Sequence, residues 1–160
     1  MTEILLGLGS NIAPAANLPR GLAELQQLLG PLRQSPVYKG AAMGFNGDPF
    51  WNLVVGAATE LSVGELQAAI REIEYRHGRP LDAVRNSPRA LDIDILTYGD
   101  LVGEIDGVTL PRGEILVHAF VLRPLAELAP AARHPALGRS FAELWAAFDQ
   151  ASQPLARVEL

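Results

Sequence analysis

An alternating segment in the second half of the chain, residues 91–96 (LDIDIL), constrains the fold more strongly than any other part of the sequence. Its period of two predicts a β-strand, in which successive side chains point to opposite faces of a sheet. Asp92 and Asp94 therefore share one face, and the apolar residues that alternate with them line the other. Adjacent carboxylates repel each other and are costly to bury, so this face requires nearby cations.

Arg85 and Arg89 lie in the loop before this strand, where Ser87-Pro88 favours an extended or turn conformation. Two close carboxylates suit Mg²⁺, a hard ion that completes its octahedron with water and phosphate oxygens. Guanidinium groups bind the same phosphates bidentately. The segment therefore indicates a Mg²⁺–nucleotide site. The alternative is a strand at a sheet edge that presents two solvated aspartates paired to arginines.

The composition is that of an ordinary folded protein, with 49% hydrophobic and 19% charged residues. At 160 residues the chain is predicted to form a single domain, residues 1–160. No long apolar run and no N-terminal signal sequence are visible, which predicts a cytoplasmic protein without a membrane span. The absence of cysteine excludes disulfides, a thiol nucleophile and a cysteine-based zinc site.

The charge distribution points to small anionic ligands. The net charge of −5 argues against a general nucleic-acid surface. Lys39 is the only lysine among thirteen basic residues, and the arginines gather in the same part of the sequence as the two aspartates. These arginines are Arg71, Arg76, Arg79, Arg85, Arg89, Arg112 and Arg123. Their clustering is consistent with a local anion pocket.

Hydrophobic periodicity and capping signals predict an α+β domain. Strands are expected at residues 3–8, 36–38, 50–61 and 92–96, with a first helix from the cap Asn17 to about Gly30. Ser62 and Glu65 form a capping box for a second helix that stops at His77-Gly78. This order, βαββαβ, predicts a ferredoxin-like antiparallel sheet with helices on one face. A second capping box, Ser140 with Glu143, predicts a C-terminal helix, and residues 155–158 predict an edge strand.

Several other residues are suited to the same site. Glu74 and Arg79 flank the end of the second helix and could point toward the loop before Asp92, although Glu74 could also be a surface charge. Phe50 and Phe120 could sandwich a flat ring, with core packing as the alternative role.

Two further polar groups allow more than one interpretation. The amide of Asn52 could read the edge of a heterocycle or could satisfy loop backbone. His77, His118 and His134 are not spaced as a metal-binding triad, and His134 is expected at the surface.

Over most of its length the sequence resembles the 6-hydroxymethyl-7,8-dihydropterin pyrophosphokinases, folate-pathway enzymes that transfer pyrophosphate from ATP to a pterin alcohol. The segment Ser87-Pro88-Arg89-Ala90-Leu91-Asp92-Ile93-Asp94 is the most specific part of this resemblance. Supporting motifs are Gly9-Ser10-Asn11, Phe50-Trp51-Asn52, Glu74 with Gly78-Arg79, Leu110-Pro111, and Phe120-Val121-Leu122 followed by Pro124-Leu125.

The resemblance implies a role for each candidate residue. Asp92 and Asp94 would hold two Mg²⁺ ions that bridge the phosphates of the co-substrate ATP, with Arg79 and Arg89 along the phosphate path. Further ATP-binding residues would be Glu74, Arg85, Thr109, Arg112 and His118. The pterin would be read by Asn52, stacked by Phe50 and Phe120, and bordered by the loop that contains Gly44 and Phe45. We expect small molecules as the only partners, and a monomer.

The sequence also departs from the family pattern. Arg112 stands where the family commonly has His, and His118 stands where it has Arg. Leu81 and Asn86 occupy positions that are often basic or aromatic. Two alternatives therefore remain: a binding module that keeps the pterin or nucleotide pocket with weak or altered transfer, and a structural ferredoxin-like domain with a charged edge.

Overall fold

The computed structural model describes residues 1–84 and 86–160. Its strands are β1 (Thr2–Ser10), β2 (Arg33–Gln34), β3 (Val37–Gly40), β4 (Phe50–Thr59), β5 (Asp92–Tyr98), β6 (Gly103–Ile105), β7 (Val108–Leu110) and β8 (Ala156–Val158). Its α-helices are α1 (Pro14–Leu29), α2 (Val63–Arg76), α3 (Ala119–Leu128) and α4 (Phe141–Ala147). Short 3₁₀ turns occupy Gly113–Leu116 and Gln150–Ser152. None of the helices in the described residues is both long enough and apolar enough to cross a bilayer.

The main sheet is antiparallel, with the strand order β5-β1-β4-β3-β8. The short strand β2 also pairs with β4, and β6 and β7 form a separate hairpin. The prediction of mixed helices on an antiparallel sheet is confirmed, and β8 lies at the sheet edge as expected. Because β5 is the opposite edge strand, the aspartates of residues 92–98 lie at the border of the sheet.

Helices cover both faces of the sheet: α1 and α2 share one face, as expected, and α3 and α4 cover the other. Leu53 and Val55 of β4 join the core with α1 and α2, whereas Val54 joins a second core with α3 and α4. The alternation of a strand supplies apolar side chains to both faces, and each face needs a cover. The helix α3 had no predicted counterpart in the sequence, because its short apolar segment contains Pro124.

Capping chemistry determines the helix boundaries. The capping boxes at Ser62 and Ser140 are both present as predicted. However, α1 begins at Pro14, after Ala13 in a left-handed conformation, so Asn17 lies inside the helix instead of capping it. The side chain of Asn17 donates to the carbonyl of Ile12 at 2.6 Å. Proline at the first helical position explains the earlier start, because it has no N–H to leave unpaired.

His134 is buried, with 3% exposure, and the expectation that it lies at the surface is wrong. Its Nδ1 accepts hydrogen bonds from the backbone N–H groups of Ala136 and Leu137, both at 3.2 Å. The ring thus organises the loop after α3 and contacts Phe141 edge-on, at 6.5 Å between ring centroids.

Acidification should weaken the fold through His134. Burial lowers the pKa of His134 below its ordinary value of 6.5, so the unfolded chain binds this proton at a higher pH than the native protein does. The free energy of unfolding should therefore fall as the pH is lowered through 6.5. His134→Asn keeps an acceptor near the position of Nδ1 and cannot be protonated. Denaturant unfolding at pH 5 to 8 should show a shallower pH dependence for this variant; an unchanged slope would contradict the prediction.

Candidate active site

The floor of the site is a row of residues across three strands. Gly9 of β1 lies opposite Asn52 of β4 and opposite Asp92 of β5, and Gly7 lies opposite Asp94 in the same way. Because both glycines lack a side chain, the sheet face between the amide and the carboxylates is open. Two strand spacings, about 10 Å, separate Asn52 from Asp92. This distance leaves room for a small ligand between the amide and the carboxylates.

A cavity of about 610 Å³ opens above this row, on the sheet face that carries α3. Such a volume is in the range of small-molecule sites. The predicted site residues that line it are Phe45, Phe50, Asn52, Arg79, Arg89, Asp92, Asp94, Thr109, Arg112, His118 and Phe120. Gly44 and Glu74 are not among the lining residues, and Arg85 lies outside the described residues. The cavity also has lining residues to which the sequence assigned no individual role, including Arg71, Asn86, Ser87 and Glu114.

Asp92 and Asp94 lie close together in a position where their negative charges are unfavourable. Burial and the neighbouring Asp92 raise the pKa of Asp94 to about 7, and Arg112 opposes this rise. Arg112 places Nη2 at 3.4 Å from Oδ1 of Asp94. The Asp94 side chain is 28% exposed, which does not fit the alternative of freely solvated carboxylates. This face of the sheet therefore calls for cationic partners, as the alternation predicts.

The outer edge of β5 positions two of the surrounding groups. The backbone N–H of Arg112 donates to the carbonyl of Leu96 at 2.9 Å, which brings the arginine side chain beside Asp94. Its Nε also pairs with the carboxylate of Glu114. At the other end of the strand, the backbone N–H of Ile93 donates to the carboxylate of Glu74 at 2.8 Å. The sheet edge is thus occupied by site residues instead of another strand.

Glu74 is fully buried behind the cavity wall, which excludes the surface-charge alternative. Its Oε1 accepts from Nη1 of Arg71 at 2.6 Å and lies 3.6 Å from Nη1 of Arg79. Burial raises the pKa of Glu74, while the Ile93 N–H and Arg71 oppose that rise. One carboxylate therefore joins two arginines of the cavity to the strand that carries the aspartates.

The side chain of Asn11 forms hydrogen bonds to two loops beside the cavity. Its Oδ1 accepts from the backbone N–H of Arg89 at 2.8 Å, and its Nδ2 donates to the carbonyl of Asp48 at 3.1 Å. The guanidinium of Arg89 donates to Ser87 and to the carbonyl of Val84. The sequence suggested only a tight turn at Gly9-Ser10-Asn11, because contacts across 37 and 78 positions leave no local signal.

Four aromatic rings of the described residues line the cavity, and one of them, Phe50, lies beside Asn52. Phe45 and Phe50 pack edge to face, with centroids 6.3 Å apart, and the ring of His118 stacks on Phe120 at 4.7 Å and 17°. Burial lowers the pKa of His118, so its imidazole is neutral near pH 7. Within the described part of the chain, the buried Nδ1 of His118 has no hydrogen-bond partner.

The arginines that cluster in the sequence lie in different places in the structure, some in the cavity and some outside it. Arg71, Arg79, Arg89 and Arg112 line the cavity. Arg76 instead bridges Glu24 and Glu72, and Arg123 lies over the ring of Tyr38 at 4.4 Å. Sequence proximity alone could not separate the two groups, since Arg71 and Arg76 lie on the same helix.

Gly9→Ala should disturb Asn52. A Cβ at position 9 would lie 2.5 Å from Oδ1 of Asn52 and 3.5 Å from the Phe50 ring, so the amide has to move. If Asn52 reads a heterocycle, losing that hydrogen bond costs about 0.5–1.5 kcal/mol of binding free energy. Calorimetric titration with 6-hydroxymethyl-7,8-dihydropterin should show the weaker binding. Gly113→Ala is a control at another cavity glycine, because its Cβ would meet no atom within 4 Å. Equal pterin affinities in both variants would contradict the prediction.

Paired carboxylates, several arginines and an aromatic wall in one cavity define a class of site, one that binds a polyphosphate beside a flat ring. Within the described residues, no group of three or more His, Cys, Asp or Glu is placed to hold a metal. Two carboxylates with substrate phosphates are the arrangement typical of Mg²⁺ in ATP-dependent transferases.

The family model of 7,8-dihydro-6-hydroxymethylpterin-pyrophosphokinase (HPPK) matches residues 5–130, and the chain belongs to this family. The 2-amino-4-hydroxy-6-hydroxymethyldihydropteridine pyrophosphokinase of Pseudomonas aeruginosa is 36% identical over 149 residues, which cover 91% of each chain. The protein of the same name from Aquifex aeolicus is 34% identical, over 84% of this chain and 85% of its own.

Some relatives are longer than this chain. It spans 30% of the folate synthesis bifunctional protein of Chlamydia caviae, with 36% identity over 135 residues. A crystal structure of Plasmodium falciparum HPPK-DHPS has a TM-score of 0.69 and covers 91% of this chain and 41% of that protein. At 14% identity, this structure shows likeness of fold alone.

Proposed function

We propose that the chain transfers pyrophosphate from ATP to 6-hydroxymethyl-7,8-dihydropterin, with release of AMP, as a step of folate biosynthesis. Family membership and relatives named as pyrophosphokinases support this function. The observation that carries it is the row Asn52–Gly9–Asp92, which puts a heterocycle-reading amide and a carboxylate on one open floor. The cavity above this floor is large enough for a flat ring and a polyphosphate together.

We assign the pterin to the aromatic end of the cavity. Asn52 would hydrogen-bond the ring edge, and Phe50 and Phe120 would stack on its faces. Phe45, which packs on Phe50, would close this end. Gly44 would contribute only through the loop to which it belongs, because it does not line the cavity.

We assign the ATP phosphates to the opposite end. Arg79, Arg89 and Arg112 line the cavity there and would neutralise phosphate charge. Thr109 also lines the cavity as a polar partner, and His118, which stacks on Phe120 where the pterin and phosphate ends meet, would act through hydrogen bonds of its neutral imidazole instead of charge. Arg85 remains a sequence-based candidate for the same role.

Asp92 and Asp94 are the residues that would hold Mg²⁺. Their mutual repulsion, which contributes to the raised pKa of Asp94, supports a divalent cation at this donor set. Mg²⁺ held by these two carboxylates would supply positive charge that neutralises charge developing on the phosphates. Deprotonation of Asp94 is required for this role, so metal affinity should increase as the pH rises through about 7.

The chain's own contribution to the reaction is mainly alignment. The pterin hydroxymethyl oxygen would attack the β-phosphorus of ATP, the bond from that phosphorus to the α-phosphate oxygen would break, and AMP would leave. The stacked rings and Asn52 orient the pterin, while the arginines hold the phosphates in line. None of the described lining residues is a clear general base, and the hydroxyl proton would pass to a phosphate oxygen or to solvent.

We also infer the finer features of the architecture. The first, second, third and fourth strands of the βαββαβ unit correspond to β1, β3, β4 and β5, and their order in the sheet, 4-1-3-2, supports a ferredoxin-like core. The α3, α4 and β8 segments extend this core, so residues 1–160 would act as one domain. One chain supplies both the carboxylates and the arginines of the cavity, which supports a monomeric catalytic unit.

A second candidate function is a pterin- or nucleotide-binding protein with weak or altered transfer. The observation that favours it is the pairing of Arg112 with Asp94 and Glu114, which occupies this cation with protein carboxylates. The low pKa of His118 removes charge from a second position near the phosphates. The paired aspartates count against this candidate, because a protein that binds only pterin does not need them.

AMP release from ATP, with Mg²⁺ and with or without 6-hydroxymethyl-7,8-dihydropterin, tests the proposed function. AMP that appears only with the pterin, in equal amounts with pterin diphosphate, is the expected result. Binding of both ligands without AMP would instead favour the binding protein. If neither ligand binds, the proposed function is wrong.

A further inference from the structure

Arg71 is a cavity residue that the sequence indicated only as a member of the arginine cluster, without a role of its own. It lies on α2, and its side chain is 36% exposed although its helix packs on the opposite face of the sheet. The guanidinium reaches the cavity because α2 lies beside the edge strand β5, so a long side chain can extend past the sheet border. Arg71 is therefore a fourth cavity arginine, together with Arg79, Arg89 and Arg112.

Two residues of the same helix hold the Arg71 guanidinium in place. Its Nη1 donates to Oε1 of Glu74 at 2.6 Å. With the Gln67 amide oriented to satisfy both groups, the Gln67 oxygen accepts from Nε and Nη2 of Arg71, each at 3.2 Å. A long side chain held at both ends of its planar group loses less conformational entropy when it binds a ligand.

The electrostatic environment leaves positive charge at this position. Glu74 is shared between Arg71 and Arg79, so one buried carboxylate faces two cations. Burial would lower the pKa of Arg71, but Glu74, Asp94 and Asp92 together raise it, which places the guanidinium within the field of the acidic pair. The other lining arginines differ, since Arg112 pairs directly with Asp94 and Arg89 donates to its own loop.

We propose that Arg71 binds oxygens of the pyrophosphoryl part of ATP, and that Glu74 is a positioning residue that directs Arg71 and Arg79 into the cavity. Arg71 can have this role only if the chain uses ATP as proposed above. The carboxylate of Glu74 would act through the two arginines from behind the wall, without touching the nucleotide. The backbone N–H of Ile93 donates to the same carboxylate of Glu74. This bond fixes Glu74 and its two arginines relative to the aspartates of β5.

Equilibrium binding of Mg²⁺-ATP and of AMP, each measured without pterin so that no turnover occurs, tests this role. Arg71→Gln should weaken ATP binding about 10- to 100-fold, the usual effect of losing a charge-assisted hydrogen bond. AMP binding should change less than about twofold, because AMP lacks the phosphates that Arg71 would contact. Arg71→Lys should recover part of the ATP affinity, since it retains charge without the planar fork.

Two further variants separate phosphate binding from a structural role. Arg76→Gln removes another arginine of α2, one that bridges Glu24 and Glu72 away from the cavity, and should change neither affinity. The double variant Arg71→Gln/Glu74→Gln removes both members of the 2.6 Å pair, so Glu74 does not remain as a buried charge without Arg71. It should bind ATP at least as weakly as Arg71→Gln, because Arg79 also loses its contact with Glu74, and it supplies the measurement if that single variant does not fold.

Several results would overturn the proposal. Equal losses of ATP and AMP affinity would mean that Arg71 contacts the nucleoside or only supports the fold. Recovery of ATP affinity in the double variant would mean that the charge of Glu74, rather than a missing phosphate contact, caused the loss. Unchanged ATP binding in Arg71→Gln would overturn the role of Arg71 alone. A wild-type protein that does not bind ATP would overturn this role and the proposed function together.

Discussion

Asp94→Asn should reduce pterin-dependent AMP formation by about 10²- to 10⁴-fold at saturating substrates, because stabilisation by a bound metal contributes several kcal/mol to the transition state. Asparagine has nearly the same volume as aspartate and no charge, so it weakens a metal ligand without leaving a cavity. The substitution also removes the repulsion with Asp92 that raises the pKa of Asp94. The thermal midpoint of the protein without metal should therefore be unchanged or higher.

Asp100→Asn is the matched control for this experiment. Asp100 is exposed in the turn that follows β5, outside the cavity, and its variant should turn over normally. Calorimetry with Mg²⁺ and ATP adds a second measurement, in which Asp94→Asn should lose the Mg²⁺-dependent part of ATP binding. A normal rate in Asp94→Asn would show that Asp94 is not a metal ligand.

Phe120→Ala should weaken pterin binding by about 1–3 kcal/mol, which is the range for stacking of a base on an aromatic residue. This corresponds to a dissociation constant raised about 5- to 150-fold. Phe120 lies in the first turn of α3, lines the cavity and stacks on His118, so its ring has one face in an aromatic pair. It also packs against the second core, so a moderate loss of thermal stability should accompany the loss of affinity.

Phe148→Ala distinguishes stacking on a ligand from packing in the core. Phe148 also packs against the second core and stacks on Trp145 at 5.5 Å, but it is not a cavity residue. Its variant should lose stability and bind 6-hydroxymethyl-7,8-dihydropterin as tightly as the wild type. If Phe120→Ala behaves in the same way as Phe148→Ala, the role of Phe120 is core packing.

Local signals in the sequence predicted much of the scaffold correctly. The alternation at residues 91–96 predicted a strand with Asp92 and Asp94 on one face, and both aspartates line the cavity. The capping boxes at Ser62 and Ser140 correctly predicted the starts of α2 and α4. These features depend on residues within four positions of one another, so their physical causes are visible in the sequence.

The predictions for Asn17 and His134 were wrong because other parts of the chain outweighed the preference of each residue. Asn17 is a good capping residue, but Pro14 allows α1 to begin four residues earlier. His134 resembles a surface residue between Arg133 and Pro135, yet two backbone N–H groups of its own loop require a buried acceptor. The loop conformation that creates this requirement is not encoded by a short motif.

The sequence by itself determined the class of the protein, the antiparallel sheet and the acidic strand, because periodicity, capping and the Pro88-to-Asp94 segment act over short ranges. Only the tertiary structure decided that Gly9 separates Asn52 from Asp92, and that Glu74 supports Arg71 and Arg79 from behind the wall. These arrangements depend on strand register and on the placement of α2 beside the sheet edge. Register joins Gly9 to residues 43 and 83 positions away, and such pairing arises from the packing of the whole chain.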